Sequence, residues 1–288
     1  MAIDYDRLMG LKIPDRTQTY TARDTALYAL GLGVGLDPMR AADLPFVYES
    51  GMQALPSMAV VLAHPGFWVR DIETGIDWVK VVHGEQGLTL HKPLPYEGQV
   101  TGQNRVTEVI DKGEGRGALI YTERKLFDVS SGDLLATVRQ VTFARGDGGF
   151  GGPARPQPAP HTMPDREPDL VRDMPTSPQG ALIYRLSGDL NPLHADPAVA
   201  EKAGFPRPIL HGLATYGIAG RALVEAVADN DASRLTRLDA RFTAPVFPGE
   251  TFRTEIWRDG ATVSFRVRCV ERDIIAINNG RAELREAG

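Results

Sequence analysis

The chain has 288 residues, of which 42% are hydrophobic and 24% charged, which is the composition of a globular protein with a sizeable core. Its formal net charge of −5 gives no support for nucleic-acid binding, and no apolar run is long enough for a transmembrane helix. Its one cysteine, Cys269, can form no internal disulfide, and its alternation with apolar residues predicts a buried strand position. Since the N-terminus lacks a secretory-signal pattern, we expect a cytoplasmic protein with no nucleic-acid or membrane partner.

The first half of the chain is predicted to be one helix followed by strands. Residues 21–35 have a helical apolar period, with Thr21 or Asp24 near the start and glycines at the end. Four strands are predicted after a loop-rich stretch, in 78–94, 98–111, 117–129 and 133–146. The glycines of 31–37 do not indicate a dinucleotide site, because they end a helix instead of following a strand.

Residues 148–178 are dense in glycine and proline, which interrupt helices and strands alike. We interpret this segment as a linker between an N-terminal half, residues 1–147, and a C-terminal half, residues 179–288. At its start the sequence GGFGG surrounds Phe150 with glycines. Two interpretations stay open there: free linker, or one anchored side chain with close backbone approach.

The second half begins with three predicted helices. The first covers 177–189, and the second starts with Asp196 as its N-cap and Pro197 at its first helical position. The third, residues 211–231, is rich in small apolar residues on more than one side, which predicts burial. Four strands follow, in 234–247, 250–257, 261–271 and 274–285.

This order of elements predicts an α+β fold, because helices followed by an antiparallel meander place the helices on one face of the sheet. A long buried helix wrapped by a curved antiparallel sheet is the hot-dog arrangement. The first half repeats the pattern in weaker form, with HKPLPYEGQV corresponding to TAPVFPGETF at a spacing of roughly 150 residues. We therefore predict a double hot-dog, with two antiparallel sheets each wrapped around a helix and joined side by side.

The segment GDLNPLHADP, residues 188–197, concentrates carboxylate, amide and imidazole groups in one loop. A carboxylate and an imidazole within reach of one water, here Asp189 and His194, can remove a proton from it and return a proton to carbon. Pro192 stiffens the loop, and the amide of Asn191 can hold the water or one member of the acid-base pair. A plain polar turn stays open as the alternative, since Asp, Asn and Pro are common turn residues.

The segment PILHGLATYG leads into the long predicted helix at His211 and Gly212. Free N–H groups and the positive end of the helix dipole there suit a developing oxyanion, and glycine lets a substrate carbonyl approach closely. We expect the His211 side chain to be structural and bonded to the backbone.

His64 and His161 lie in predicted loops and are expected at the surface. No histidine or carboxylate spacing indicates a metal site, so no metal is expected.

These residues carry a family resemblance. The segment YRLSGDLNPLHADPAVAEKAGFPRPILHGLATYG is similar to the hydratase 2 motif of the MaoC-like family, the (R)-specific 2-enoyl-CoA hydratases. In the first half, YTARDTALYALGLGVG, LPFVYE, VVHGEQGLTLHKPLP and GGFGG resemble the hydratase 2 region of peroxisomal multifunctional enzymes of type 2. With DARFTAPVFPGET, the resemblance covers nearly the whole chain.

The resemblance implies a double hot-dog in which only the second half keeps the catalytic loop and the first half makes room for a long acyl chain. It implies reversible syn hydration of a trans-2-enoyl-CoA to the (3R)-3-hydroxyacyl-CoA. No separate cofactor is needed, because the thioester is itself the electron sink. A homodimer is the family's expectation.

The resemblance also implies roles for individual residues. Asp189 and His194 would activate the water, Asn191 would orient it or Asp189, and the Gly212 N–H would polarise the thioester carbonyl. The implied substrate-binding positions are these four together with His83, Gly84, Lys112, Leu190, Pro192, Leu193 and Phe242, and Lys112 would pair with CoA phosphates. Two other functions stay open: an acyl-CoA thioesterase and a non-catalytic acyl-CoA-binding subunit.

Overall fold

The computed structural model describes residues 3–285. Its helices are α1 (Tyr5–Met9), α2 (Ala22–Gly31), α3 (Leu44–Val47), α4 (Trp68–Asp71), α5 (Gly180–Tyr184), α6 (Pro197–Lys202) and α7 (Gly212–Val227). Its strands are β1 (Ile13–Tyr20), β2 (Val81–Leu90), β3 (Gly98–Asp111), β4 (Ala118–Asp128), β5 (Leu134–Ala144), β6 (Leu170–Pro175), β7 (Leu235–Phe242), β8 (Thr251–Asp259), β9 (Thr262–Cys269) and β10 (Ile274–Leu284). Each helix within residues 3–285 is too short or too polar to cross a lipid bilayer.

All ten strands join in one antiparallel sheet, in the order β1-β3-β4-β5-β2-β7-β10-β9-β8-β6. The two halves of the chain meet where β2 pairs with β7, from Glu85 opposite Arg241 to Thr89 opposite Arg237. The predicted α+β double hot-dog with joined sheets is therefore confirmed. Cys269 is fully buried at the end of β9, as its alternation predicted.

The core surrounds α7, whose side chains are buried on nearly every side. Small residues allow this close packing. A methyl group on Gly217 would come within 2.8 Å of the Leu32 side chain, and one on Gly220 within 3.1 Å of Leu238. The helix thus packs against the end of α2 on one side and against β7 on another. The prediction of a long buried helix is confirmed.

The loop that carries Asp189 has defined ends. The helix predicted over 177–189 is shorter in the structure: α5 is followed by one 3-10 turn, and Gly188 then takes a φ of +120°, which favours glycine. At the other end, the Asp196 carboxylate accepts a hydrogen bond from Ala198 N–H at 2.8 Å. This confirms Asp196 as the N-cap of α6 and gives it a purely local function.

The segment 148–178 is not free linker throughout. Its last part contains β6, which pairs with β8 and closes one edge of the sheet. Most side chains of β6 are exposed, and the strand ends at Pro175. Because an edge strand of this kind buries so little, its sequence shows no alternation of apolar and polar residues, and the strand was missed.

The start of the same segment is anchored to the sheet. The Asp111 carboxylate accepts hydrogen bonds from the N–H groups of Gly113 (2.8 Å), Gly149 (2.8 Å) and Gly151 (2.9 Å). Phe150 packs against a core cluster of the first half. Of the two interpretations of GGFGG, the anchored side chain is confirmed.

Candidate active site

Three side chains from two separate segments of the sequence converge at the N-terminal end of α7. Asp189, His194 and His211 each bring one side-chain atom to within 4.8 Å of the other two. Asp189 lies in the loop after Gly188, His194 ends the 3-10 turn Pro192–His194, and His211 directly precedes α7. The loop and the helix end predicted from separate segments therefore form one cluster.

The buried ring of His194 is held in one orientation. Its Nδ1 lies 2.9 Å from the carbonyl oxygen of Ile209, so Nδ1 carries the proton and donates it. The ring also stacks on His211, with ring centroids 3.7 Å apart. Burial lowers the pKa of His194, although the Ile209 bond and the Asp189 charge act in the opposite direction. The neutral ring consequently presents an unprotonated Nε2, which is the form a general base requires.

The backbone of Asp189 is fixed from two sides. His211 Nε2–H donates to its carbonyl oxygen at 3.2 Å, and a guanidinium N–H of Arg185 donates to the next carbonyl, that of Leu190, at 3.4 Å. The Asp189 carboxylate accepts one backbone bond, from the N–H of Asn191 at 3.1 Å. The carboxylate is half-buried, so its remaining acceptor positions are open to a water or a substrate.

The structure gives the Asn191 side chain a local bond. Its Oδ1 accepts the Leu193 N–H at 3.0 Å, which caps the 3-10 turn that begins at Pro192. It is the main chain of Asn191 that bonds the Asp189 carboxylate, while the side chain, like those of Leu190 and Pro192, is exposed. The predicted role of the amide in holding a water stays a prediction.

His211 is bonded to the backbone, as the sequence analysis expected of its side chain. Burial and the neighbouring His194 lower its pKa to about 4, against the opposing effect of Asp189. Within residues 3–285 its Nδ1 has no hydrogen-bond partner. The neutral His211 ring thus bonds the Asp189 backbone and stacks on the His194 ring, which holds the two residues in place.

The N–H of Gly212 is available to a ligand. Gly212 is the first residue of α7, and within residues 3–285 its N–H meets no acceptor. Such a group at a helix N-terminus combines a free donor with the positive end of the helix dipole. The position of its missing Cβ lies 3.4 Å from the Phe242 ring, so that ring forms one wall beside the donor.

His83 and Gly84 lie at the junction of the two half-sheets. A β-bulge at Gly84 interrupts the pairing of β2 with β5, and such bulges re-aim side chains. The His83 ring packs edge-on against Phe242, with centroids 4.8 Å apart, and its Nε2 bonds the Glu85 carbonyl at 3.1 Å. Burial lowers the pKa of His83 to about 4, and Asp189 raises it. Phe242 therefore connects His83 to the Gly212 donor.

Lys112 lies further out, in the hairpin between β3 and β4. Its Nζ sits 5.2 Å from the centroid of the Phe143 ring, and Phe143 pairs with Val82, the neighbour of His83. The lysine is not part of the Asp189 cluster. Its position suits a contact with a phosphate of CoA, which lies beyond the thioester group in the substrate. That contact stays a prediction.

The contacts of three residues were not found from the sequence. Arg185 holds the Asp189 loop, and no spacing pattern singled it out. His64 is exposed, which confirms its surface prediction. Burial at its ring and the Arg124 charge lower its pKa to about 3, and the Asp189 charge raises it. His161 bonds Ser264 Oγ at 2.8 Å and is half-buried, so its surface prediction is wrong. Only tertiary contacts reveal these positions.

The cluster offers a metal ion three donor groups, one carboxylate and two imidazoles, although no sequence spacing predicted it. His211 Nε2 is already bonded to the Asp189 carbonyl, and His194 Nδ1 to Ile209, so each ring has only its second nitrogen left for a ligand. The predicted absence of a metal or other cofactor stays an expectation.

Two histidines of the site, His83 and His211, have strongly lowered pKa values and predict acid sensitivity. In the folded chain His83 and His211 have pKa values of about 4, against 6.5 ordinarily, so the unfolded state binds more protons between these values. Stability is therefore full above about pH 6.5 and falls as pH drops towards 4, by about 1–3 kcal/mol per histidine. Denaturant unfolding between pH 7.5 and 4 measures this, and His211→Gln should flatten the curve. An unchanged slope in that variant would contradict the assignment to His211.

Known families match both halves of the chain. Residues 160–280 match the MaoC like domain, and residues 18–146 match the MFE-2 hydratase 2 N-terminal domain. The chain is 45% identical to 3-hydroxyacyl-thioester dehydratase Y of Mycobacterium tuberculosis, over 90% of this chain and 88% of the relative. It is 36% identical to the peroxisomal enoyl-CoA hydratase 2 of Arabidopsis thaliana, over 93% of this chain and 91% of the relative.

Solved structures agree with the fold. A MaoC-like dehydratase from Phytophthora capsici superposes with a TM-score of 0.87 at 32% identity, covering 99% of this chain and 98% of that one. A Mycobacterium tuberculosis protein described as a double hotdog superposes with a TM-score of 0.57 at 14% identity, over 99% of this chain and 96% of that one. The second likeness concerns the fold alone.

Proposed function

The chain belongs to the MaoC-like hydratase 2 family, and from this premise we propose that it is a hydro-lyase that hydrates trans-2-enoyl-CoA to the (3R)-3-hydroxyacyl-CoA. The observation that carries the proposal is the pairing of an acid-base cluster with a free N–H at one helix end. Asp189 and His194 supply the first, and Gly212 supplies the second. This combination is what chemistry beside a carbonyl requires.

Water adds to C3 of the bound thioester. His194 Nε2, or the Asp189 carboxylate, takes a proton from the water as its oxygen bonds C3. The electron pair of the C2–C3 double bond moves towards the thioester oxygen, where the Gly212 N–H and the helix dipole stabilise the negative charge. The captured proton is then returned to C2, so one water is added and the base is regenerated. In this proposal the base that takes the proton also returns it from the same side of the substrate, so the addition is syn.

The wall beside the donor supports the orientation of the substrate. Phe242 packs against His83 next to Gly212, which closes one side of the space beside the N–H. The neutral state of the His83 ring adds no charge that would compete for the developing oxyanion. Lys112, further along the same end of the sheet, binds a CoA phosphate in this proposal.

Loss of the enoyl-thioester absorbance on addition of crotonyl-CoA or a longer enoyl-CoA tests the function. Chiral chromatography of the released 3-hydroxy acid should give the R form. Release of free CoA, measured with a thiol reagent, would instead identify a thioesterase. Binding of enoyl-CoA without turnover would identify a non-catalytic subunit, and either result would overturn the proposal.

Three further expectations belong to the proposal. The chain forms a homodimer, needs no cofactor beyond its CoA substrate, and acts in the cytoplasm. The Arabidopsis thaliana relative is named a peroxisomal enzyme, so fractionation with a peroxisomal marker, where the source cell has that organelle, decides the last point. Light scattering of the purified chain decides the first.

A further inference from the structure

A small polar cavity lies in the N-terminal half and is lined by none of the catalytic-loop residues 188–197. It has a volume of about 30 Å³, which is room for a few heavy atoms such as a carboxylate group or two waters. Strands β3, β4 and β5 form its floor, and the segment around His64 and Trp68 covers it. Its polar lining side chains are His64, Asn104, Thr122, Glu123, Arg124 and Gln140.

Arg124 is the unusual member of this lining. The residue is only 6% exposed, and within residues 3–285 no carboxylate is paired with its guanidinium. One Nη donates to the carbonyl oxygens of Val60 (2.5 Å) and Ala59 (3.5 Å), but within the described residues the buried Nε–H has no acceptor. Burial lowers the pKa of Arg124 to about 10, so the side chain still carries its charge at neutral pH.

The chain leaves this charge without the partner that buried cations normally have. An uncompensated charge in a desolvated position is costly, and an anion with matching geometry is the usual compensation. The neighbouring Glu123 cannot supply it, because it pairs with Arg105 and Arg139. The bond to Val60 places Arg124 at the end of a 3-10 turn, yet it leaves the Nε–H unused.

The cavity adjoins the candidate active site through two contacts. Gln140 in its lining donates to Thr142 Oγ1 at 3.3 Å, and Thr142 pairs with His83 across β5 and β2. His64, which covers the cavity, is close enough to both Arg124 and Asp189 for each charge to affect it. The path from His83 along Thr142 and Gln140 of β5 therefore leads to the lining that contains Arg124, which pairs with Val138 of the same strand.

We propose that this cavity receives the far end of the acyl chain and that Arg124 binds a carboxylate there, so that the preferred substrates are trans-2-enoyl-CoA thioesters with a terminal carboxylate. This inference rests on the proposed hydratase function. A guanidinium and a carboxylate form paired charge-assisted hydrogen bonds, which an alkyl end cannot offer. An alkyl end would also leave the buried charge uncompensated.

The test compares kcat/KM for trans-2-enoyl-CoA thioesters of increasing length, each with either a methyl or a carboxylate end. At the length that reaches Arg124, the carboxylate-ended thioester should be preferred at least about tenfold, the range of a hydrogen bond to a charged group. Arg124→Met should remove that preference, and Arg124→Lys should keep part of it. The matched control is Lys125→Met, which removes a charge from the next residue of β4.

The outcomes separate the two proposals. Hydration of methyl-ended thioesters supports the hydratase function whatever the preference. Better turnover of the methyl-ended thioester at every length would overturn the role of Arg124, and so would a carboxylate preference that survives Arg124→Met. If Arg124→Met does not fold, the length series on the wild-type protein still tests the carboxylate preference. Gln140→Leu, which changes another side chain of the cavity lining, should weaken that preference.

Discussion

Asp189→Asn should lower kcat by about 10²–10⁴-fold, the range for loss of a general acid-base group. Asparagine keeps the size of the side chain and can accept the Asn191 N–H, so the loop should keep its conformation. What it loses is the negative charge and the ability to take a proton. Steady-state hydration of an enoyl-CoA of fixed length measures kcat and KM, and KM should change much less than kcat.

His194→Gln should have an effect of similar size, because glutamine has no basic nitrogen in place of Nε2. If the two residues act on one water, the double variant should be little slower than either single variant. Asp196→Asn is the matched control from the same loop: asparagine caps a helix as well as aspartate, so its rate should stay at the wild-type level. Wild-type rates in both Asp189→Asn and His194→Gln would remove these residues from the mechanism.

The catalytic loop could be predicted from the sequence because its information is local. Gly188, Pro192 and Asp196 mark where the loop starts, stiffens and ends, and each is a residue type with a known backbone preference. Likewise, the small residues of α7 predict burial because nothing larger fits between α2 and β7. The α+β order follows from the same local periods.

The contacts that complete the site are not local. His83 reaches Phe242 only because β2 pairs with β7, and no periodicity within either strand predicts that pairing. His211 could be expected to bond the backbone, but the residue that accepts its hydrogen bond, Asp189, depends on how the loop folds over the helix end. The residues around Arg124 alternate as in an ordinary strand. Only the structure of residues 3–285 therefore reveals that its Nε–H has no acceptor there.

Gly212→Pro should lower kcat by about 10²–10³-fold, the effect of removing one oxyanion donor. Proline has no N–H, yet it is favoured at the first position of a helix, so α7 should still form. The preceding residue, His211, has a φ of −59° and a ψ of 136°, which is the extended conformation that proline requires before it. An unchanged melting temperature and circular dichroism spectrum should therefore accompany the loss of rate.

Gly212→Ala separates the missing donor from the added bulk. Alanine keeps the N–H and adds a methyl group at 3.4 Å from the Phe242 ring, an ordinary van der Waals contact. Its kcat should thus stay close to that of the wild type. Equal losses in the alanine and proline variants would mean that crowding against Phe242, and not the N–H, limits the reaction. A loss confined to proline, carried by kcat more than by KM, assigns the N–H to the transition state, because a donor used only in substrate binding would change KM instead.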